Sequence, residues 1–324
     1  MAEVRIALLG AGSMGTAHAA AYAGMPDVSV AGVFSRDPAR AAAVAAICKA
    51  EPVADAAALI RRTDIDAVDV CLPSANHHDV VVAALAAGRH VFCESPLALD
   101  LDEAERMRDA ARRADRLLQV GLLMRSVSAY GHVEAVARSG EQGRLLSITT
   151  WRLSSYLHAD APDRKAHYGD PSTELMTFDF DFVHWLMGKP ASLSASAARM
   201  PDGRSGDITA LLSYPQGRHA TVIASGLMPP GSPFTTGFRV LFERAAFDHL
   251  ATFSSVPPKT SFTITAGATP ARPVPVADRN PYEVELQRFV DCIRGRADPA
   301  LLDADRAIEA LRLSLATVES FTRA

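Results

Sequence analysis

Gly10, Gly12 and Gly15 form a Gly-x-Gly-x-x-Gly string, a spacing that lets backbone N–H groups hold a pyrophosphate. In such a string Gly10 permits the tight turn, Gly12 lets the backbone approach the phosphates, and Gly15 lets a helix pack closely on a strand. Ser13 and Met14 would then sit at the helix N-terminus, where free N–H groups and a partial positive charge face the anion. A glycine-rich turn without a ligand is the competing reading of the bare string, and only its flanking elements decide. About 20 residues past the glycines, an acidic side chain ordinarily binds the ribose hydroxyls of NAD. Ser35 and Arg36 stand there instead. A hydroxyl and a guanidinium suit a 2′-phosphate, so NADP is expected, with NAD as the alternative. Asp37 is the other candidate for the ribose, but Pro38 follows it directly, the pattern of a helix cap.

A second group of reactive side chains lies further along. Asp170-Pro171-Ser172-Thr173-Glu174 reads as a helix start, with Asp as cap, Pro at the first position and an acid in the first turn. Gly188 and Pro190 mark its end. On one continuous helix Glu174, Phe178, Asp181 and Trp185 share a face. Glu174 can serve as an acid or base if Phe178 dries its surroundings, or it simply satisfies the helix dipole. Asp181 lies ~10 Å further along the axis and is expected to cap or pair within the core. Lys165, His167 and Tyr168, just upstream, are candidate proton donors, or members of a polar surface loop. Tyr156 and His158 are weaker candidates of the same kind. The adjacent His77 and His78 do not match the spacing of a metal-binding set, and no metal is expected.

The elements that must position these residues alternate regularly. Val4–Leu9 reads as a buried strand running into the glycines, and Ser13–Ala23 as a helix. Strands at 28–34, 52–53, 67–72, 90–93 and 117–121 alternate with helices at 38–48, 55–61, 79–87 and 102–114. This is a doubly wound, Rossmann-type parallel sheet of about six strands. Beyond it come strands at 147–153, 192–198, 208–214, 219–225, 238–242 and 261–264, and an amphipathic helix at 301–321. The expected fold is therefore an α/β dinucleotide-binding domain over 1–122. An α+β domain with an open, mainly antiparallel sheet follows over 123–324. The 324 residues suffice for two cores. A net charge of −4 gives no reason to expect nucleic acid or an anionic membrane as partner. No apolar run reaches the length of a membrane span, and the N-terminus enters a strand at once, so a cytoplasmic location is expected. Cys48, Cys71, Cys93 and Cys292 have no C-x-x-C spacing and read as free thiols.

Two further segments carry a resemblance. Residues 66–78, Asp-Ala-Val-Asp-Val-Cys-Leu-Pro-Ser-Ala-Asn-His-His, precede 88–98, Gly-Arg-His-Val-Phe-Cys-Glu-Ser-Pro-Leu-Ala. With the glycines, with Gln119-Val120-Gly121, Trp185-Leu186-Met187-Gly188 and Asn280-Pro281-Tyr282-Glu283, the whole chain resembles the glucose–fructose oxidoreductase / inositol dehydrogenase / rhizopine-catabolism (Gfo/Idh/MocA) family. The resemblance implies cofactor contacts from Leu72, Pro73, His77, Glu94 and the residue at 95, and a second-domain sheet that supports a homodimer or homotetramer. It also implies a catalytic Lys-Asp-His set, at 95, 174 and 178. Here those positions hold Ser95, Glu174 and Phe178. Ser95 carries no charge near neutral pH and cannot stabilise a developing alkoxide as an ammonium would. The implied activity is thus an NADP-dependent oxidoreduction of a ketone, imine or conjugated acceptor, on a sugar- or cyclitol-like or other small molecule, with altered acid–base residues. The alternative is an NADP(H)-binding homologue without catalysis, acting as a regulator or assembly partner.

Overall fold

The computed structural model describes residues 3–158, 169–254 and 257–322. It divides into two compact units, 1–126 with 279–308, and 127–278 with 309–324. The second domain expected over 123–324 is therefore interrupted. Residues 279–308 return to the first unit, because Glu285, Leu286, Phe289 and Val290 bury one face of their helix.

The first unit contains β1 (Val4–Leu9), α1 (Ser13–Ala23), β2 (Val28–Phe34), α2 (Pro38–Cys48), β3 (Glu51–Val53) and α3 (Ala56–Arg61). It continues with β4 (Ala67–Val70), α4 (His77–Ala86), β5 (His90–Cys93), α5 (Leu101–Ala114) and β6 (Leu118–Val120). The sheet order is β3-β2-β1-β4-β5-β6, all parallel. Strand order reverses between β1 and β4, and ligands of such sheets bind outside the strands' C-terminal ends at that point. β1 and β4 are almost wholly buried, which is why their sequences are mainly apolar rather than alternating, broken only by Arg5 and Asp69. Asp37, Asp55 and Asp100 each accept backbone N–H groups at the start of the following helix.

The second unit contains α6 (Ser128–Ser139), β7 (Leu145–Leu153), α7 (Pro171–Glu174) and α8 (Met176–Met187). Seven strands follow: β8 (Ser192–Arg199), β9 (Ser205–Ser213), β10 (His219–Ser225), β11 (Phe234–Phe242), β12 (Ala245–Phe253), β13 (Lys259–Ala266) and β14 (Arg272–Pro273). The eight-stranded sheet runs β14-β13-β12-β11-β7-β10-β9-β8, antiparallel except for the central β7–β10 pair. On one side Tyr130 of α6 packs edge-on against Phe182 of α8 and Phe238 of β11, with centroids 4.6 and 4.7 Å away. α9 (Pro281–Ile293) belongs to the first unit, and α10 (Ala304–Thr322) passes from the first unit into the second at Ile308/Glu309.

Candidate functional site

The three glycines differ in what a side chain would meet. At Gly10 (φ 119°) a Cβ would lie 2.3 Å from the Cys71 carbonyl oxygen, and at Gly15 it would lie 1.9 Å from that of Gly10. Both positions are closed by backbone, the first by the turn against β4 and the second by α1 lying on that turn. At Gly12 nothing lies within 4 Å. The open space is at the N-terminus of α1, which no side chain caps and whose first turn has no acid. Ser13 is exposed beside it, and Met14 is half-buried with its Sδ accepting from the Tyr282 hydroxyl at 3.7 Å. An uncapped helix end facing a cradle that only a Cβ would fill fits a dinucleotide pyrophosphate.

At the end of β2, Ser35 Oγ accepts the Asp37 N–H at 3.2 Å. Asp37 Oδ1 accepts from Ala39 and Arg40, so its carboxylate is committed to α2 as the Pro38 pattern predicts. Arg36 is exposed and makes no hydrogen bond or ion pair with the described residues. Asp37 is the one acid among residues 35–40, directly after this strand.

On the β4–β6 side, Leu72 and Pro73 are half-buried after β4. His77 is buried, with Nε2 2.8 Å from the Leu72 carbonyl oxygen and Nδ1 3.1 Å from that of Pro96. Burial pushes its pKa below the ordinary value while these carbonyls oppose the shift. Its ring ties the loop after β4 to the loop after β5, which is a positioning role. Glu94 directly follows β5 and accepts the Ser95 N–H on Oε2 at 3.1 Å. Ser95 Oγ is buried and has no hydrogen-bond partner among the described residues.

In the second unit, Asp170 caps α7 through the Ser172 N–H and also accepts the Ser205 N–H. The single helix expected from 170 to 188 is split, because the backbone departs from regular helix at Leu175 (φ −111°, ψ −52°). Glu174 ends α7 and is half-buried, with Oε1 3.4 Å from the Gly169 N–H. Phe178 on α8 is also half-buried, whereas Asp181 is 1% exposed, so the predicted common face divides into an open part and a buried part. Lys165, His167 and Tyr168 lie outside the described residues. Tyr156 donates to the Gly169 carbonyl, and His158 Nε2 faces that of Leu227.

Sequence reasoning missed two buried ionic groups. In the second unit Arg152 donates through Nε to Asp179 at 3.1 Å, and Thr150 donates to the other carboxylate oxygen at 2.6 Å. The guanidinium carbon lies 4.8 Å from the Phe178 ring centroid, so the half-buried ring covers a cation. The signal was available: Arg152 falls on the same strand parity as the buried Ile148 and Thr150. In the first unit His18 of α1 bridges Asp69 of β4 and Glu94 at 2.8 and 2.9 Å. Asp69 interrupts a buried apolar strand, and Glu285 interrupts the buried stripe of α9. An ionisable residue at a core position marks each of them.

Comparison with known proteins follows this geometry. Residues 4–122 match the family described as oxidoreductase family, NAD-binding Rossmann fold, and residues 130–248 match the GFO/IDH/MocA C-terminal domain. An inositol 2-dehydrogenase of Rhizobium meliloti (strain 1021) is 30% identical over 227 residues, 68% of each chain. A scyllo-inositol 2-dehydrogenase (NAD(+)) of Bacillus subtilis (strain 168) is 24% identical over 98% of this chain and 94% of its own. A crystal structure of a candidate myo-inositol dehydrogenase from Sinorhizobium meliloti 1021 superposes with a TM-score of 0.82 at 25% identity. That match spans 99% of this chain and 98% of the other. With its glycine cradle, its strand order and both domains matched, the chain belongs to the Gfo/Idh/MocA family of NAD(P)-binding oxidoreductases.

Proposed function

We propose that this protein is an NADP-dependent oxidoreductase acting on a small molecule whose carbon acceptor needs little proton assistance. The candidates are an imine or iminium and a conjugated double bond; a ketone on a sugar- or cyclitol-like skeleton is the other form, and it requires a relocated proton donor. The observation that supports the cofactor is Arg36, exposed and uncommitted at the end of β2 while Asp37 is consumed as a helix cap. When bound, the nicotinamide supplies the hydride-exchanging carbon. The chain's own residues do the rest. The N–H groups of Ser13, Met14 and Gly15 would hold the pyrophosphate, and Arg36 with Ser35 would hold the 2′-phosphate. Glu94 fixes the Ser95 backbone, leaving the Ser95 hydroxyl to donate or accept a hydrogen bond without adding charge. Glu174 is the candidate acid or base. An iminium already carries the positive charge that a lysine would otherwise provide, which fits a neutral residue at 95. The inositol dehydrogenases among its relatives favour polyhydroxylated rings in the substrate panel.

Stopped-flow oxidation of NADPH and NADH against ketones, iminium ions, enones and inositols tests this reading. NADPH is expected to be preferred, and Arg36→Ala to weaken NADPH binding about tenfold or more while leaving NADH unchanged. A preference for NADH would overturn the cofactor assignment. Tight NADP(H) binding with no turnover of any acceptor class would favour the non-catalytic alternative.

We also propose a homodimer or homotetramer built on the eight-stranded sheet. Leu211, Leu241 and Leu250 project from one face of it, 42, 40 and 41% exposed. Three exposed leucines on one sheet face suit a subunit contact.

A further inference from the structure

Inside the first unit, below the C-terminal edge of the sheet, ionisable side chains from four segments meet away from water. His18 and Tyr22 come from α1, and Asp69 and Cys71 from β4 and its end. Cys93 and Glu94 come from β5 and its end, and Glu285 and Tyr282 from α9. His18, Asp69 and Glu285 are fully buried, and Glu94 is 8% exposed. His18 Nδ1 stands 2.8 Å from Asp69 Oδ2 and 3.3 Å from Cys71 Sγ, while Nε2 stands 2.9 Å from Glu94 Oε1, an ion-pair contact off the hydrogen-bond direction. One atom each of His18, Glu94 and Glu285 lie within 4.8 Å of one another. Neither Glu285 oxygen has a hydrogen-bond partner among the described residues.

Charge decides how this group is held. A neutral imidazole with three ionised carboxyls would leave three negative charges in a dry site with no cation among them, an arrangement that Coulomb repulsion and desolvation both oppose. An imidazolium between Asp69 and Glu94, beside a neutral Glu285, leaves one net negative charge. A carboxylate also needs donors, and Glu285 has none; a carboxylic acid carries its own. Burial alone would push the His18 imidazolium toward neutrality, but Asp69 and Cys71 outweigh it and hold its pKa well above the ordinary value. Burial, then the Glu94 charge, push Glu285 well above the carboxylic-acid range.

The beneficiary is Glu94. Its Oε1 meets His18, its Oε2 accepts the Ser95 N–H, and its carboxylate fills the place where a Gly121 side chain would stand, 2.9 Å from an ideal Cβ. The glycine string and Arg36 place the adenine half of a dinucleotide over β1–β3, so β4–β6 take the nicotinamide half, including the turn at Ser95. We propose that His18 and Glu285 are positioning residues for that turn. His18 acts as a buried imidazolium bridging Asp69 and Glu94, Glu285 as a neutral acid that adds no further charge, and together they fix the Glu94 carboxylate beneath Ser95.

This rests on reading the sheet's C-terminal edge as the cofactor side, but its first tests need no cofactor. Nitrogen-15 NMR of the full chain at about pH 8, above the range of an unperturbed imidazole, is expected to show both His18 ring nitrogens protonated. Infrared spectra at the same pH are expected to show a carboxylic-acid band that Glu285→Gln removes. Glu285→Gln, neutral and a donor, is expected to bind NADPH within about twofold of the parent. Glu285→Leu is expected to lose roughly tenfold, the effect of one mis-set hydrogen bond. A neutral His18 at that pH, an absent acid band, or a Gln variant as impaired as the Leu variant overturns the proposal. So does a stoichiometric divalent metal that elemental analysis finds in the parent and not in Glu285→Gln. Because the spectroscopic signals arise in cofactor-free protein, a preference for NADH would refute the cofactor reading alone.

Discussion

Gly12→Ala should separate binding from folding more cleanly than any other change at the glycine turn. Gly12 has φ −86° and ψ −163°, a backbone open to any L-residue, and its Cβ would meet nothing within 4 Å. An alanine there restricts the unfolded chain, which favours folding by about 0.4–1 kcal/mol, and is a poorer N-cap by a similar amount. The stability change should therefore stay within about 0.5 kcal/mol. Binding is another matter. The new methyl group occupies the space through which the helix N-terminus approaches the pyrophosphate. Lengthening two charge-assisted N–H bonds, each worth roughly 1.5 kcal/mol, costs about 2–3 kcal/mol, or about 30- to 150-fold in Kd. Fluorescence titration with NADPH, paired with thermal melting, measures both quantities on one sample. Gly15→Ala gives the opposite pattern. Its Cβ would fall 1.9 Å from the Gly10 carbonyl oxygen, so α1 must move off the turn and Tm should drop before any titration is possible. If Gly12→Ala binds NADPH within about twofold of the parent at unchanged Tm, phosphate approach at Gly12 is refuted.

Other consequences are equally direct. Asp179→Asn leaves the buried Arg152 guanidinium without its carboxylate and is expected to destabilise the protein by about 3–5 kcal/mol in chemical denaturation; a loss under about 1 kcal/mol would show that the pair does not hold Arg152. His18 and Glu285 both have raised pKa values in the folded chain, so their stabilisation is complete below the unfolded values of about 6.5 and 4.3 and is lost as pH rises through the folded ones. The denaturation midpoint should accordingly fall with rising pH above neutrality, with protons released on unfolding and one fewer released by Glu285→Gln; a midpoint independent of pH there would contradict the charge assignment. Leu241→Arg with Leu250→Arg should lower the molar mass seen by light scattering without unfolding the chain, and an unchanged mass would remove the eight-stranded sheet as the subunit contact.

Much of the fold was legible because it is written locally. Buried parallel strands read as apolar runs, and Asp37, Asp55, Asp100 and Asp170 announce the helices that follow them. Strand β12 was not anticipated, since the β11–β12 hairpin turns through Glu243-Arg244 with none of the Gly, Pro, Asn or Asp residues that punctuate other turns. Helix α6 was missed too, its apolar positions being spread among Ser128, Gly131 and His132. The break at Leu175 left no mark in helical periodicity, because one residue's backbone angles depart from the helix without altering the spacing of its neighbours along the sequence.

The sequence by itself determined the glycine string, the Asp37-Pro38 cap pattern that follows β2, and a neutral serine at 95. Each is a matter of residue type at a short, fixed spacing, and steric demand within a few bonds enforces it. Only the tertiary structure decided that Gly12 alone of the three glycines faces open space. It also decided that Arg152 and Asp179 pair beneath Phe178, and that His18, Asp69, Glu94 and Glu285 share one dry site. Those partners lie tens to hundreds of residues apart. What joins them is the penalty on a buried charge, which acts through space and leaves no periodic trace along the chain.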